Sequence, residues 1–121
     1  MSRVEEFTRE GRTFVYIDFS GLLTNDEISD VIAQAAPVIR KHPPKSVYTI
    51  TNFDKLHFDK ESKNIVTPYT EGNKPYVVAG AIIGIDGLKQ IMANTIFTVS
   101  GRKDIAILSS KEEAIRFLLT K

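Results

Sequence analysis

The chain contains no cysteine, which removes disulfides, thiolate nucleophiles and cysteine-ligated metals from consideration. It also lacks an excess of charge of either sign: 16 basic residues stand against 15 acidic ones, for a formal net charge of +1. A nucleic-acid-binding surface normally gathers a basic excess on one face, so no nucleic-acid partner is expected. Long apolar runs are missing as well. The opening residues, MSRVEEF, hold no signal-peptide core, and no run approaches the ~20 apolar residues of a membrane-spanning helix. The longest, residues 76–85, is interrupted by Gly80 and Gly84 and reads as a buried strand. A cytoplasmic protein without an integral membrane segment is therefore expected.

What is present suffices for a core. With 121 residues, 42% of them hydrophobic, the chain reads as one domain over residues 1–121, able to bury about two-thirds of its unfolded surface. Residues 4–8 and 13–19 are strand-like and flank a glycine turn, which suggests a hairpin. The second of them, TFVYIDF, is rich in β-branched and aromatic residues and reads as buried on both faces. Thr24 and Glu27 form a capping box. After it Ile28, Val31, Ile32, Ala35, Ala36 and Ile39 recur on one helical face, with Pro37 expected to kink or shorten the last turns.

Residues 46–53 form the third strand. The segment 54–72 is poorly encoded: Asp59 can cap a helix over residues 60–70, but Pro68 and thin apolar content point to a short or broken helix. A fourth strand, residues 76–85, leads to a helix begun by Asp86, with Leu88, Ile91, Met92, Thr95, Ile96 and Val99 as its inward stripe. Gly101 suits the left-handed position after its end. Residues 104–108 are the last strand, and Ser110 with Glu113 forms a second capping box before Ala114, Ile115, Phe117, Leu118 and Leu119. The alternation implies an α/β fold: one mixed, mostly parallel sheet of about five strands, an N-terminal hairpin followed by βα units, covered by about four helices.

Asp18-Phe19-Ser20-Gly21, Asn73-Lys74-Pro75-Tyr76, the stretch AGAIIGIDGL at 79–88, Phe97, Ser100-Gly101-Arg102 and Glu112-Glu113-Ala114 together resemble the SpoIIAA-like, or STAS-like, family of small bacterial proteins. The resemblance implies a mixed sheet backed by helices and no known catalysis. The wider superfamily includes phosphorylation-switched regulators and lipid-carrying domains of the CRAL-TRIO type. The regulators carry an Asp-Ser-Ser-Gly-like motif after the third strand. Residues 52–62 here read NFDKLHFDKES, which departs from that motif and leaves Ser62 as the phosphosite to consider.

Several constellations bear on function. Ligands of parallel sheets sit beyond the carboxyl ends of the strands. Gly84, Asp86 and Gly87, with Arg102 or Lys89 and Lys103, could recruit an anion at a helix N-terminus, although a tight strand-to-helix turn plus close helix packing is the favoured explanation of the glycines. Asp18, Asp54 and Asp86 lie near strand ends, where capping accounts for each. His42 near a helix C-terminus suits the helix dipole, and His57 beside Asp54 or Asp59 is the one candidate base. No metal or cofactor site is expected. Phe53, Leu56, Phe58, Ile65, Tyr69 and Tyr76 gather around the weak segment, where ordinary core packing by an irregular segment accounts for them, or the segment could close as a lid over an apolar cavity. The expectation is a non-enzymatic STAS-like binding or regulatory domain for an apolar small molecule such as a lipid or fatty acid. The alternative is a protein-interaction module, with a protein partner or as a homodimer.

Overall fold

A computed structural model of the chain describes residues 3–121, and of Leu88 and Lys89 the backbone alone. Strands β1 (Val4–Arg9) and β2 (Arg12–Asp18) pair antiparallel. Their two-residue connection, Glu10-Gly11, has positive φ at both positions, 52° and 76°. That is the backbone twist which lets a tight hairpin match its strands. Helix α1 (Asn25–Arg40), β3 (Val47–Asn52), α2 (Lys60–Asn73), β4 (Val77–Ile83), α3 (Gly87–Ser100), β5 (Ile105–Ile107) and α4 (Lys111–Leu118) follow. The sheet order is β1-β2-β3-β4-β5, with every pair after the hairpin parallel.

Because each crossover steps to the next strand in the same direction, α1, α2 and α3 share one face of the sheet. Val15, Ile17, Phe19, Ile28, Val31, Ile39, Val66, Tyr69 and Ile96 form the core there. The opposite face is closed by α4, whose Ala114, Ile115 and Leu118 pack on Phe14, Tyr48, Ile50, Ala81 and Ile83. Burying each such aliphatic or aromatic side chain contributes roughly 1.5–3 kcal/mol.

The capping box of α1 forms as its residues dictate: the Glu27 amide donates to Thr24 Oγ1 at 3.2 Å, and the Thr24 amide donates to Glu27 Oε1 at 3.1 Å. Pro37 does not shorten the helix, which continues to Arg40. The segment read as a short or broken helix is one unbroken helix, Lys60–Asn73, running through Pro68. Tertiary packing overrides its weak propensity, since Ser62, Val66, Tyr69, Thr70 and Asn73 are all buried.

The inward face of α3 is also corrected. Ile91 and Val99 are 66% and 65% exposed, while Ala93, Ile96 and Ser100 are buried, a rotation of roughly 100° from the expected stripe. Leu88, part of that stripe, lies outside the described side chains. At α4 the second box is offset: the Glu113 amide donates to Ser110 Oγ, but Glu113 Oε1 accepts from the Ser109 amide. Among the described residues no helix is long and apolar enough to cross a membrane.

Candidate functional site

Strand alternation places Tyr48 and Ile50 on the α4 face of β3, so Val47, Thr49 and Thr51 turn toward the three-helix face. On β4, Gly80 comes beside Thr49 in register. A Cβ added to Gly80 would sit 2.7 Å from Thr49 Oγ1, so the hydroxyl occupies the space a side chain would need. Two threonines and a glycine thus stand where the central strands of such a sheet ordinarily carry Val or Ile. The floor is thin at that point.

Above it, α2 and α3 pack on each other, and α2 on α1, while α1 and α4 approach the sheet backbone more closely than these two helices do. The result is a cavity of about 40 Å³ between Thr49, Thr51 and Gly80 below and Val66, Tyr69, Thr70, Asn73, Ala93, Ile96 and Phe97 above. At roughly 10–15 Å³ per water this space admits about three waters. Sites for drug-sized ligands occupy about 300–1,000 Å³.

Polar groups around the cavity are closely tied. Arg102, 6% exposed, gives Nε and one terminal nitrogen to the two carboxylate oxygens of Asp104, each at 2.8 Å, and its other terminal nitrogen to Thr70 O at 3.0 Å. Burial pushes the Asp104 carboxyl up, but the hydrogen bonds and charge of Arg102 outweigh it and hold the group below its ordinary value. Arg40 Nε donates to Asn73 Oδ1 at 3.1 Å and a terminal nitrogen donates to Tyr69 O at 3.3 Å. Burial raises the Tyr69 phenol to about 12, against smaller opposing effects of Asn73, Arg40 and Arg102. It stays a neutral hydroxyl through the physiological range.

Of the six residues expected to line an apolar pocket, Phe53 and Tyr69 do so. Leu56, Phe58, Ile65 and Tyr76 belong to the same apolar cluster without reaching the cavity. Phe53 stands edge-on to Phe19, with ring centres 5.6 Å apart, and is tilted against Phe58 at 6.1 Å, forming an aromatic group at the carboxyl end of β3. Thr49, Thr51, Gly80 and Asn73 were not anticipated. The signal for them was a polar pair, Thr49 and Thr51, at alternate positions of a strand otherwise apolar on both faces.

The glycine-rich turn does not gather its four expected members. Gly84 has φ 75°, and a Cβ there would meet Asn52 Oδ1 and the Asp54 amide at 2.7 Å, so only glycine fits. The Gln90 amide donates to Asp86 O at 2.9 Å, opening α3 at Gly87. Arg102 lies at the other end of α3, about 20 Å away along a 14-residue helix. Lys89 lies outside the described side chains, and Lys103 is exposed.

The three aspartates each serve a turn. Asp18 Oδ1 accepts the Ser20 amide at 2.8 Å, the Asp54 amide is held by Asn52 Oδ1 at 2.9 Å, and Asp86 starts α3. Ser62 is fully buried. Its Oγ lies 2.6 Å from Asn25 Oδ1 and 3.0 Å from Asp59 Oδ1, and accepts the Asp59 amide at 3.0 Å. His57 is exposed, 3.5 Å from Asp59 Oδ2. His42 is 2.9 Å from Glu6 Oε1, and that hydrogen bond is the main cause of a lowered Glu6 pKa. Among the described residues no three His, Asp or Glu side chains are grouped to hold a metal. A scan of protein-family models and a search of curated proteins both find no match to the chain.

Proposed function

We propose that the chain is a non-enzymatic STAS-like binding or regulatory domain that takes an apolar small molecule, of the lipid or fatty-acid kind, between its sheet and the α2–α3 pair. The supporting observation is the thin floor at Thr49, Thr51 and Gly80 beneath two helices that stand off the sheet. As it stands the cavity is too small for an acyl chain. Entry requires α2 and α3 to lift together from the sheet. His57, the candidate base, does not line the cavity.

Native mass spectrometry of the protein from its producing cells, followed by organic extraction, tests this reading. An apolar molecule released at near-equal stoichiometry is the expected result. Ligand-free protein that also gains no thermal stability from added lipids refutes it.

A second reading, an interaction module or homodimer, is favoured by α3. Its outward residues Gln90, Ile91, Asn94, Thr95, Thr98 and Val99 carry no charge, and among the described residues Ile91 and Val99 are two of the three exposed large apolar side chains. A ligand-free dimer in sedimentation, dispersed by Ile91→Asp, would select it.

A further inference from the structure

Strand β1 forms one outer edge of the sheet, and its pairing with β2 fixes which backbone groups face outward. The Asp18 amide donates to Arg3 O at 2.8 Å, so these two residues are a hydrogen-bonded pair. Such pairs alternate with non-bonded ones along an antiparallel ladder. Glu5, Phe7 and Arg9 therefore turn their backbone groups to Tyr16, Phe14 and Arg12. Glu6 and Thr8 turn theirs away from the sheet.

An edge of this kind is a template for another strand unless something blunts it. β1 runs six residues without proline, lysine or a shift in register. An aromatic row also stops there: Tyr48, Phe14 and Phe7 stack across β3, β2 and β1 with ring centres 5.5 and 5.2 Å apart, and Phe7 is left half-buried. On the same side of the strand, Arg9 is exposed and has no ion-pair partner among the described residues. Exposed Glu5 lies 3.6 Å from Lys111, a contact that contributes little at the surface.

Pairing of β1 with itself is restricted. Outward-facing residues must meet outward-facing ones, so a symmetric antiparallel pair sets one residue opposite its own counterpart. Two such registers keep most of the strand paired, centred on Glu6 (residues 4–8) or on Phe7 (residues 5–9). The first opposes Glu6 to Glu6, and like charges directly opposite are destabilising. The second opposes Phe7 to Phe7, Glu5 to Arg9 and Glu6 to Thr8, with no like charges facing.

We propose that β1 is the interface of a homodimer, pairing antiparallel with β1 of a second copy about a two-fold axis at Phe7. Glu6 and Thr8 exchange both backbone N–H···O bonds across the axis. Phe7 carries the aromatic row onto its counterpart in a non-bonded pair, where side chains come closest. Glu5 of each copy meets Arg9 of the other. This does not depend on the small-molecule reading, and it gives a homodimer a surface other than α3.

The test is sedimentation equilibrium of the full chain from micromolar to submillimolar concentration, with amide exchange followed in parallel. A dimer is expected, with the Glu6 and Thr8 amides slowing as it forms and Phe7 protected throughout. Thr8→Pro removes an outward N–H that the β1–β2 ladder does not use, a place where an edge strand accepts proline, and should abolish the dimer. Arg9→Glu is expected to weaken association about tenfold, because two symmetric pairs turn from attractive to repulsive. Adding Glu5→Arg should restore most of it, and this pair of variants decides the matter even if Thr8→Pro does not fold. A chain that stays monomeric overturns the proposal and leaves the small-molecule reading intact. A dimer dispersed by Ile91→Asp but not by Thr8→Pro overturns it in favour of α3. A double variant as weak as Arg9→Glu alone overturns the register centred on Phe7.

Discussion

Asp104→Asn is the sharpest perturbation the structure offers. The Arg102 side chain keeps only 3% of its surface and accepts no substitute partner easily, whereas Asp104 retains 24%. Removing one member of a fully buried pair costs about 3–5 kcal/mol, chiefly because the surviving charge is left uncompensated. Asp104 keeps part of its hydration, so about 2–3 kcal/mol is expected here. Asparagine preserves one acceptor and turns an NH₂ toward the guanidinium in place of the other. In a domain of this size the loss corresponds to a fall in Tm of roughly 8–12 °C.

Urea unfolding at pH 7 would read this directly as a lower midpoint with an unchanged slope. Acid supplies a second check with a definite sign. The carboxyl of Asp104 is depressed in the folded state from 3.8, so its stabilisation is complete above the unfolded value. It is lost as pH falls through the folded one. The difference between native chain and variant must therefore shrink on acidification below about pH 4. A loss under about 0.5 kcal/mol at pH 7, the worth of an exposed pair, would show that the Arg102 fork carries no such role. So would a gap that does not narrow in acid.

Two further outcomes test the frame of the cavity and its roof. Ser62→Ala removes a buried hydroxyl shared by Asn25 and Asp59 and is expected to cost about 1–2 kcal/mol, measured by thermal unfolding; no change would mean that α2 is not anchored at this corner. Gly80→Ala places a methyl against Thr49 Oγ1 and is expected to cost about 1 kcal/mol. Most of that should return in the Thr49→Ala background, and additive losses in the double-mutant cycle would refute the steric account.

The element order and the α/β class were readable because the strands are dense in β-branched residues and α1 carries both a capping box and an uninterrupted apolar stripe. Helix α2 was harder. Its proline and polar residues argue locally for a break, and its cap at Asp59 and Ser62, together with burial of Val66 and Tyr69, decides otherwise. Helix α3 misled for a different reason. With no charged residue from Gln90 to Ser100, nothing marks its solvent side. Small Ala93 and Ser100, rather than Ile91 and Val99, take the close positions. Phe53 and Tyr69 were foreseeable as cavity residues from their bulk. Thr49, Thr51 and Gly80 were not, because the space depends on which face of the strand they occupy and on their alignment across β3 and β4.

The sheet order has a kinetic consequence. Every parallel pair joins strands adjacent in sequence, so each closure spans roughly 25 to 35 residues, and the entropic costs of the three differ by only about 0.3 kcal/mol. Chain entropy therefore does not rank the βαβ units. Burial does: β3 is buried at five of its six positions, whereas β5 is three half-buried residues at the margin. Assembly ordered by that difference starts at β3 and β4, the latter buried at six of its seven positions, grows outward from that pair, and leaves β5 to settle last.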